Sequence, residues 1–178
     1  MTKHILFIHG AGGDAHALDS KLADSLQRVL GTTYEVHVPK MPKPNDPKDA
    51  LWREEIKRQL DKFDEPVILA GHSLGASTLL KYLSEETVKH PIDGLFLAAT
   101  PFWDMDEYKL REDFADHLPK DLLIFFYQCK DDDTVPPDHV EMYAKKLPQA
   151  IVRTFDEGGH QFNDDLSAMA RDIQRLET

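Results

Sequence analysis

Six short apolar runs punctuate the chain, at residues 5–8, 34–38, 67–70, 95–99, 122–127 and 151–155. Most are near-continuous and rich in Ile, Leu, Val or Phe, as strands buried on both faces are. Residues 34–38 alternate more, which predicts a strand at a sheet edge. Between the runs the apolar period changes. Leu18, Leu22, Leu26 and Leu30 recur every fourth residue and stop at Gly31, a helix terminator. Leu51, Ile56, Leu60 and Phe63 form a second stripe, and Leu79, Leu80 and Leu83 a third. Val140, Met142, Tyr143 and Leu147 form a fourth, and Phe162, Leu166, Met169, Ile173 and Leu176 a last one. Strand and helix patterns therefore alternate, which predicts βαβ units with right-handed crossovers. The expected fold class is α/β, a three-layer sandwich whose mainly parallel sheet of about six strands is flanked by helices. With no internal repeat and no linker, residues 1–178 read as a single domain.

An open parallel sheet presents its ligand site beyond the carboxyl ends of its strands. The segments there are informative. His9-Gly10-Ala11-Gly12-Gly13 follows the first run and Gly71-His72-Ser73-Leu74-Gly75 the third. Asp131-Asp132-Asp133 follows the fifth, and Gly158-Gly159-His160 the sixth. A serine, an acid and a histidine thus share one sheet edge. Gly-x-Ser-x-Gly between a strand and a helix fits a tight turn in which the glycines let the two elements approach and the hydroxyl stands clear. Ser73 is the candidate nucleophile. A serine hydroxyl needs a base, and His160, on a glycine-rich loop, is the choice. The acid comes from three adjacent aspartates. Asp132 is preferred because Asp132-Asp133-Thr134-Val135-Pro136 carries the Asp-x-x-Val-Pro pattern common after this strand in hydrolases; Asp131 and Asp133 are the alternatives. The chain order Ser, acid, His matches that of such hydrolases. Oxyanion donors are expected from the backbone N–H groups of Leu74 and of Ala11, with Gly12 as the other option in that loop. His9 and His72 read as structural, His16 as a surface residue near the first loop, and His117 and His139 as solvated.

Composition narrows the field. The net charge of −11 disfavours nucleic acid and anionic lipid surfaces. No apolar stretch approaches the ~18 residues of a membrane helix, and the first run is too short for a signal sequence, so a cytoplasmic protein is expected. The single cysteine, Cys129, allows no internal disulfide and reads as a small hydrophobe ending a strand. The three aspartates lack calcium-loop spacing, and the first loop lacks a phosphate-binding pattern. No metal and no cofactor are expected. The Pro-rich stretch from residue 39 to 47 reads as a stiffened loop.

These motifs together resemble the α/β-hydrolase superfamily over essentially the whole chain. Met41-Pro42-Lys43-Pro44-Asn45-Asp46-Pro47 followed by Trp52, and Glu157-Gly158-Gly159-His160, resemble the small retinoblastoma-binding-protein type of serine hydrolase. The resemblance implies strand order 2-1-3-4-5-6, loss of the usual N-terminal hairpin, a minimal esterase and no cofactor. It also implies little or no lid, because the usual insertion point leaves only residues 100–121. Phe102 and Trp103 there are expected to line, with Gly12, a small acyl pocket; the alternative is that they pack the segment onto the sheet. The expected function is a carboxylic-ester hydrolase acting on a small soluble acyl substrate, as a monomer or weak homodimer. A thioesterase or small peptidase would use the same residues, and a non-catalytic binding module is the reading from another class.

Overall fold

The computed structural model describes residues 1–176. Its six strands are β1 (Lys3–Ile8), β2 (Tyr34–His37), β3 (Val67–His72), β4 (Ile92–Ala98), β5 (Ile124–Cys129) and β6 (Ile151–Phe155). They form one sheet in the order 2-1-3-4-5-6, and every neighbouring pair is parallel. The helices are α1 (Ala15–Leu30), α2 (Asp49–Leu60), α3 (Leu74–Glu85), α4 (Phe114–His117), α5 (Asp138–Lys146) and α6 (Ser167–Arg175).

The period-two alternation of β1 shows how the layers form. Leu6 and Ile8 point to one face, where they join Trp52 of α2, Leu79 and Leu83 of α3 and Tyr143 of α5. Ile5 and Phe7 point to the other, against Leu22 and Leu26 of α1 and Met169 and Ile173 of α6. β3 and β5 are buried along their whole length, as continuous apolar runs require. β2 is an edge, as its alternation predicted. β6 is the second edge, with Ile151 exposed.

Two expectations are corrected. Leu18 belongs to the stripe of α1 by spacing, yet it is 42% exposed, while Leu22, Leu26 and Leu30 are buried; it lines the cavity beside Ser73 instead. The last helix begins at Ser167 and not at Phe162, because Phe162, Asn163 and Asp164 all hold positive φ (53°, 50° and 56°). Left-handed residues cannot propagate a right-handed helix. Phe162 is buried all the same, as an aromatic plug against Phe155 and His72. No helix among the described residues is long and apolar enough to cross a membrane.

Candidate active site

The turn from β3 to α3 is built from backbone constraints. Ser73 holds φ 54° and ψ −125°, outside the broadly allowed regions for an L-residue. The surroundings impose this. A Cβ on Gly75 would run into the carbonyl oxygens of Ile8 and His9, and one on Gly71 would lie 2.9 Å from the backbone of Ala76. Only glycine at both places lets α3 start directly against the end of β1. Leu74 opens α3, so its N–H has no carbonyl four residues back to satisfy it.

The neighbouring loop aims a second donor. His9 is fully buried; its Nδ1 lies 2.6 Å from the Gly10 carbonyl and its Nε2 accepts the Met41 N–H at 2.9 Å. A ring nitrogen that accepts carries no proton, so His9 is neutral with its hydrogen on Nδ1. Burial lowers its pKa to match. Fixing the Gly10 carbonyl fixes the planar peptide that carries the Ala11 N–H on its opposite side. The Gly12 N–H is already engaged, donating to the Pro44 carbonyl at 2.7 Å. Of the two candidates in this loop, Ala11 has the available donor. The Pro-rich loop thus braces the first loop from outside, helped by Trp52, whose Nε1 donates to the Pro42 carbonyl.

His160 and Asp132 meet as the sequence proposed. His160 Nδ1 lies 3.0 Å from Asp132 Oδ2 and 3.2 Å from Oδ1. A carboxylate only accepts, so Nδ1 carries the proton and Nε2 is left as a base. Asp132 also accepts the N–H groups of Thr134 and Val135, both at 2.9 Å, and the Gln128 amide. Burial alone would raise its pKa, but the hydrogen bonds from His160, Val135 and Thr134 outweigh it and leave the carboxyl below its ordinary value. Asp131 holds the loop instead, accepting the Gly158 and Gly159 N–H groups at 3.2 and 2.8 Å. Asp133 is exposed and accepts the Thr134 hydroxyl at 3.2 Å. Cys129 is fully buried at the end of β5, and burial, with Asp131 and Asp132 close by, pushes its thiol up to about 11.

Sequence reasoning missed a junction between these loops. Asp19, buried on α1, accepts the Gly10 N–H at 2.8 Å and faces His72 Nδ1 at 2.9 Å through one oxygen, and accepts the Gln161 amide at 3.1 Å through the other. His72 in turn places Nε2 2.8 Å from the His160 carbonyl. Carboxylate and carbonyl both only accept, so both nitrogens of His72 donate and its ring is an imidazolium. Burial opposes that charge, but the Asp19 carboxylate overcomes it, so the His72 pKa is raised and that of Asp19 lowered despite its own burial. One buried ion pair therefore ties the first loop, the residue before Ser73 and the loop carrying His160.

The pair predicts a pH dependence. The contribution of His72 is complete below its unfolded pKa of 6.5 and is lost as pH rises through its higher folded value. That of Asp19 is complete above 3.8 and is lost as pH falls through its lower folded value. Urea unfolding should therefore show stability falling above pH 6.5, and this alkaline slope should flatten in His72→Gln. An unchanged slope in that variant would assign the effect to other groups.

Ser73, Leu74, His160, Ala11 and Gly12 all line one cavity of about 530 Å³. Trp103 lines it as expected, its indole N–H donating to the Ser77 hydroxyl at 2.9 Å. Phe102 is corrected: its ring packs on Tyr143 with centroids 4.9 Å apart, and it is not among the lining residues. One aromatic thus faces the cavity and the other packs on α5. Met105, Tyr108 and Leu18 complete the apolar wall and were not anticipated. The cap is a loop followed by the four-residue α4, pinned by the Tyr108 hydroxyl donating to the Pro47 carbonyl and by Lys81 donating to the Glu107 carbonyl. His139 also departs from expectation, as its Nδ1 accepts the Phe102 N–H at 2.9 Å.

A six-stranded parallel sheet with a serine elbow at its centre defines a hydrolase of the α/β superfamily. The chain belongs to the serine hydrolase family, whose sequence pattern matches residues 9–168. YdeN of Bacillus subtilis (strain 168) is 22% identical over 172 residues, covering 93% of this chain and 89% of that protein. The crystal structure of the B. subtilis ydeN gene product has a TM-score of 0.80 at 20% identity and covers 99% of both chains. Est1E from Butyrivibrio proteoclasticus has a TM-score of 0.72 at 17% identity, covering 99% of this chain and 87% of its own.

Proposed function

We propose that the protein is a carboxylic-ester hydrolase in which Ser73, His160 and Asp132 form a catalytic triad. The observation that carries this reading is the convergence of a strained serine, a carboxylate-oriented histidine and two candidate N–H donors on one cavity. His160 Nε2 takes the Ser73 proton as Oγ attacks the ester carbonyl. The N–H groups of Leu74 and Ala11 hold the oxyanion. His160 returns the proton to the departing alkoxide, leaving an acyl-serine. It then deprotonates a water that attacks the acyl group and releases Ser73. Asp132 stays ionised throughout, orienting His160 and offsetting its transient positive charge.

The apolar wall of Leu18, Trp103, Met105 and Tyr108 and the short cap suit a small acyl group better than a long lipid chain. Est1E has been seen with ferulic acid, an aromatic carboxylic acid, bound. The net charge of −11 and the acidic residues of the cap favour a neutral ester in the cytoplasm over an anionic substrate. A fluorophosphonate probe tests the reading: it should label the folded protein stoichiometrically, and Ser73→Ala should not be labelled. Folded protein that resists the probe would falsify the enzymatic assignment.

A further inference from the structure

At the end of the sheet away from Ser73, three potential metal ligands converge on one face. His4 of β1 is in register with Glu35 of β2, and Leu6 with His37. Residues two apart on a strand share a face, so Glu35 and His37 project on the side where their neighbour His4 projects. His4 Nδ1 lies 3.0 Å from His37 Nε2. Glu35 Oε2 lies 3.8 Å from the first nitrogen and 3.9 Å from the second. A hydrogen bond between the imidazoles accounts for the first distance. It does not account for a carboxylate oxygen equidistant from both nitrogens. The three separations define a triangle whose centre is about 2.1 Å from each atom, which is the bond length of zinc to imidazole nitrogen and carboxylate oxygen.

We propose that His4, Glu35 and His37 bind a divalent cation of the zinc class. Two imidazoles and a carboxylate form a borderline donor set that suits zinc and leaves a position for water. The rings of both histidines rest on Phe63, with centroids 5.2 and 5.0 Å away, which limits their rotation. Asp64 and Glu65 line the same cleft and add negative charge; Lys62, on the same wall, opposes it. His4 precedes the first loop by five residues, roughly 16 Å of extended strand, so the ion lies far from the ester chemistry. Its effect is structural: it staples the four-residue edge strand β2 to β1.

The test uses untagged full-length protein freed of metal with a chelator and titrated with zinc chloride in a calorimeter. One equivalent should bind, and the unfolding midpoint should rise by about 3 °C or more at saturation. His4→Ala and His37→Ala should each weaken binding at least tenfold and leave ester hydrolysis unchanged. X-ray absorption of the loaded parent protein should show two imidazoles and oxygen at about 2.0–2.1 Å, a readout that needs no variant to fold. No uptake at 1 mM zinc, as an order-of-magnitude ceiling for a specific site, overturns the proposal. So does tight binding that survives both substitutions, or an all-oxygen shell, which would place the ion elsewhere, as at Asp131, Asp132 and Asp133.

Discussion

Ser73→Ala should lower kcat/KM for a short-chain p-nitrophenyl ester by about 10⁴- to 10⁶-fold, with the fold intact by circular dichroism. His160→Ala should cost a similar factor, and the double variant little more than either alone. Members of a triad act as a unit, so removing one already removes most of what the others contribute. The residual rate should reflect the Leu74 and Ala11 N–H groups and substrate binding. Asp132→Asn should fall by about 10⁴-fold, because an amide can hold His160 in the wrong tautomer. Asp131 and Asp133 provide the internal control. Asp131 accepts the Gly158 and Gly159 N–H groups and Asp133 the Thr134 hydroxyl, whereas Asp132 holds His160. If Asp133→Ala lost as much activity as His160→Ala while Asp132→Asn were mild, the acid would be reassigned.

Asp19→Ala should be the most destabilising single change outside the hydrophobic core. It leaves the buried His72 imidazolium without its carboxylate and the Gly10 N–H without an acceptor. Breaking one side of a buried ion pair costs about 3–5 kcal/mol, a large share of the 5–15 kcal/mol typical of a domain. Urea titration at pH 6 measures it directly. The pair Asp19→Asn with His72→Gln removes both charges and keeps hydrogen-bonding groups, so its loss should be well below the sum of the single losses. Activity should also fall, by about 10² in kcat, through loosening of the His160 loop, and a split favouring kcat over KM marks positioning over binding. Stability within about 1 kcal/mol of the parent would show that the pair is not the clamp its geometry describes.

The candidate site was legible where chemistry follows chain order. Gly71, Ser73 and Gly75 announce an elbow because only glycine allows that approach, and the strand before and helix after are visible as changes of apolar period. His160 was legible from its glycines and its place after the last strand. Asp132 came from a local pattern that the backbone rationalises, since its oxygen caps the turn made by Thr134 and Val135. Phe102 and Trp103 were not separable, because side-chain direction in an irregular segment depends on what packs against it.

Periodicity by itself determined the alternation of strands and helices, the parallel sheet and the edge at which a serine, an acid and a histidine gather. Burial demands repeat along each element, so they are written locally in the order of residues. Only the tertiary structure decided which groups share protons. Asp19 and His72 are 53 residues apart, and His4 and His37 are 33 apart. A histidine's charge is set by whether its neighbours donate or accept, and those neighbours arrive from other elements. His9 and His72, each placed beside a glycine at a strand end, therefore became a neutral ring and a cation for a reason that no stretch of sequence contains.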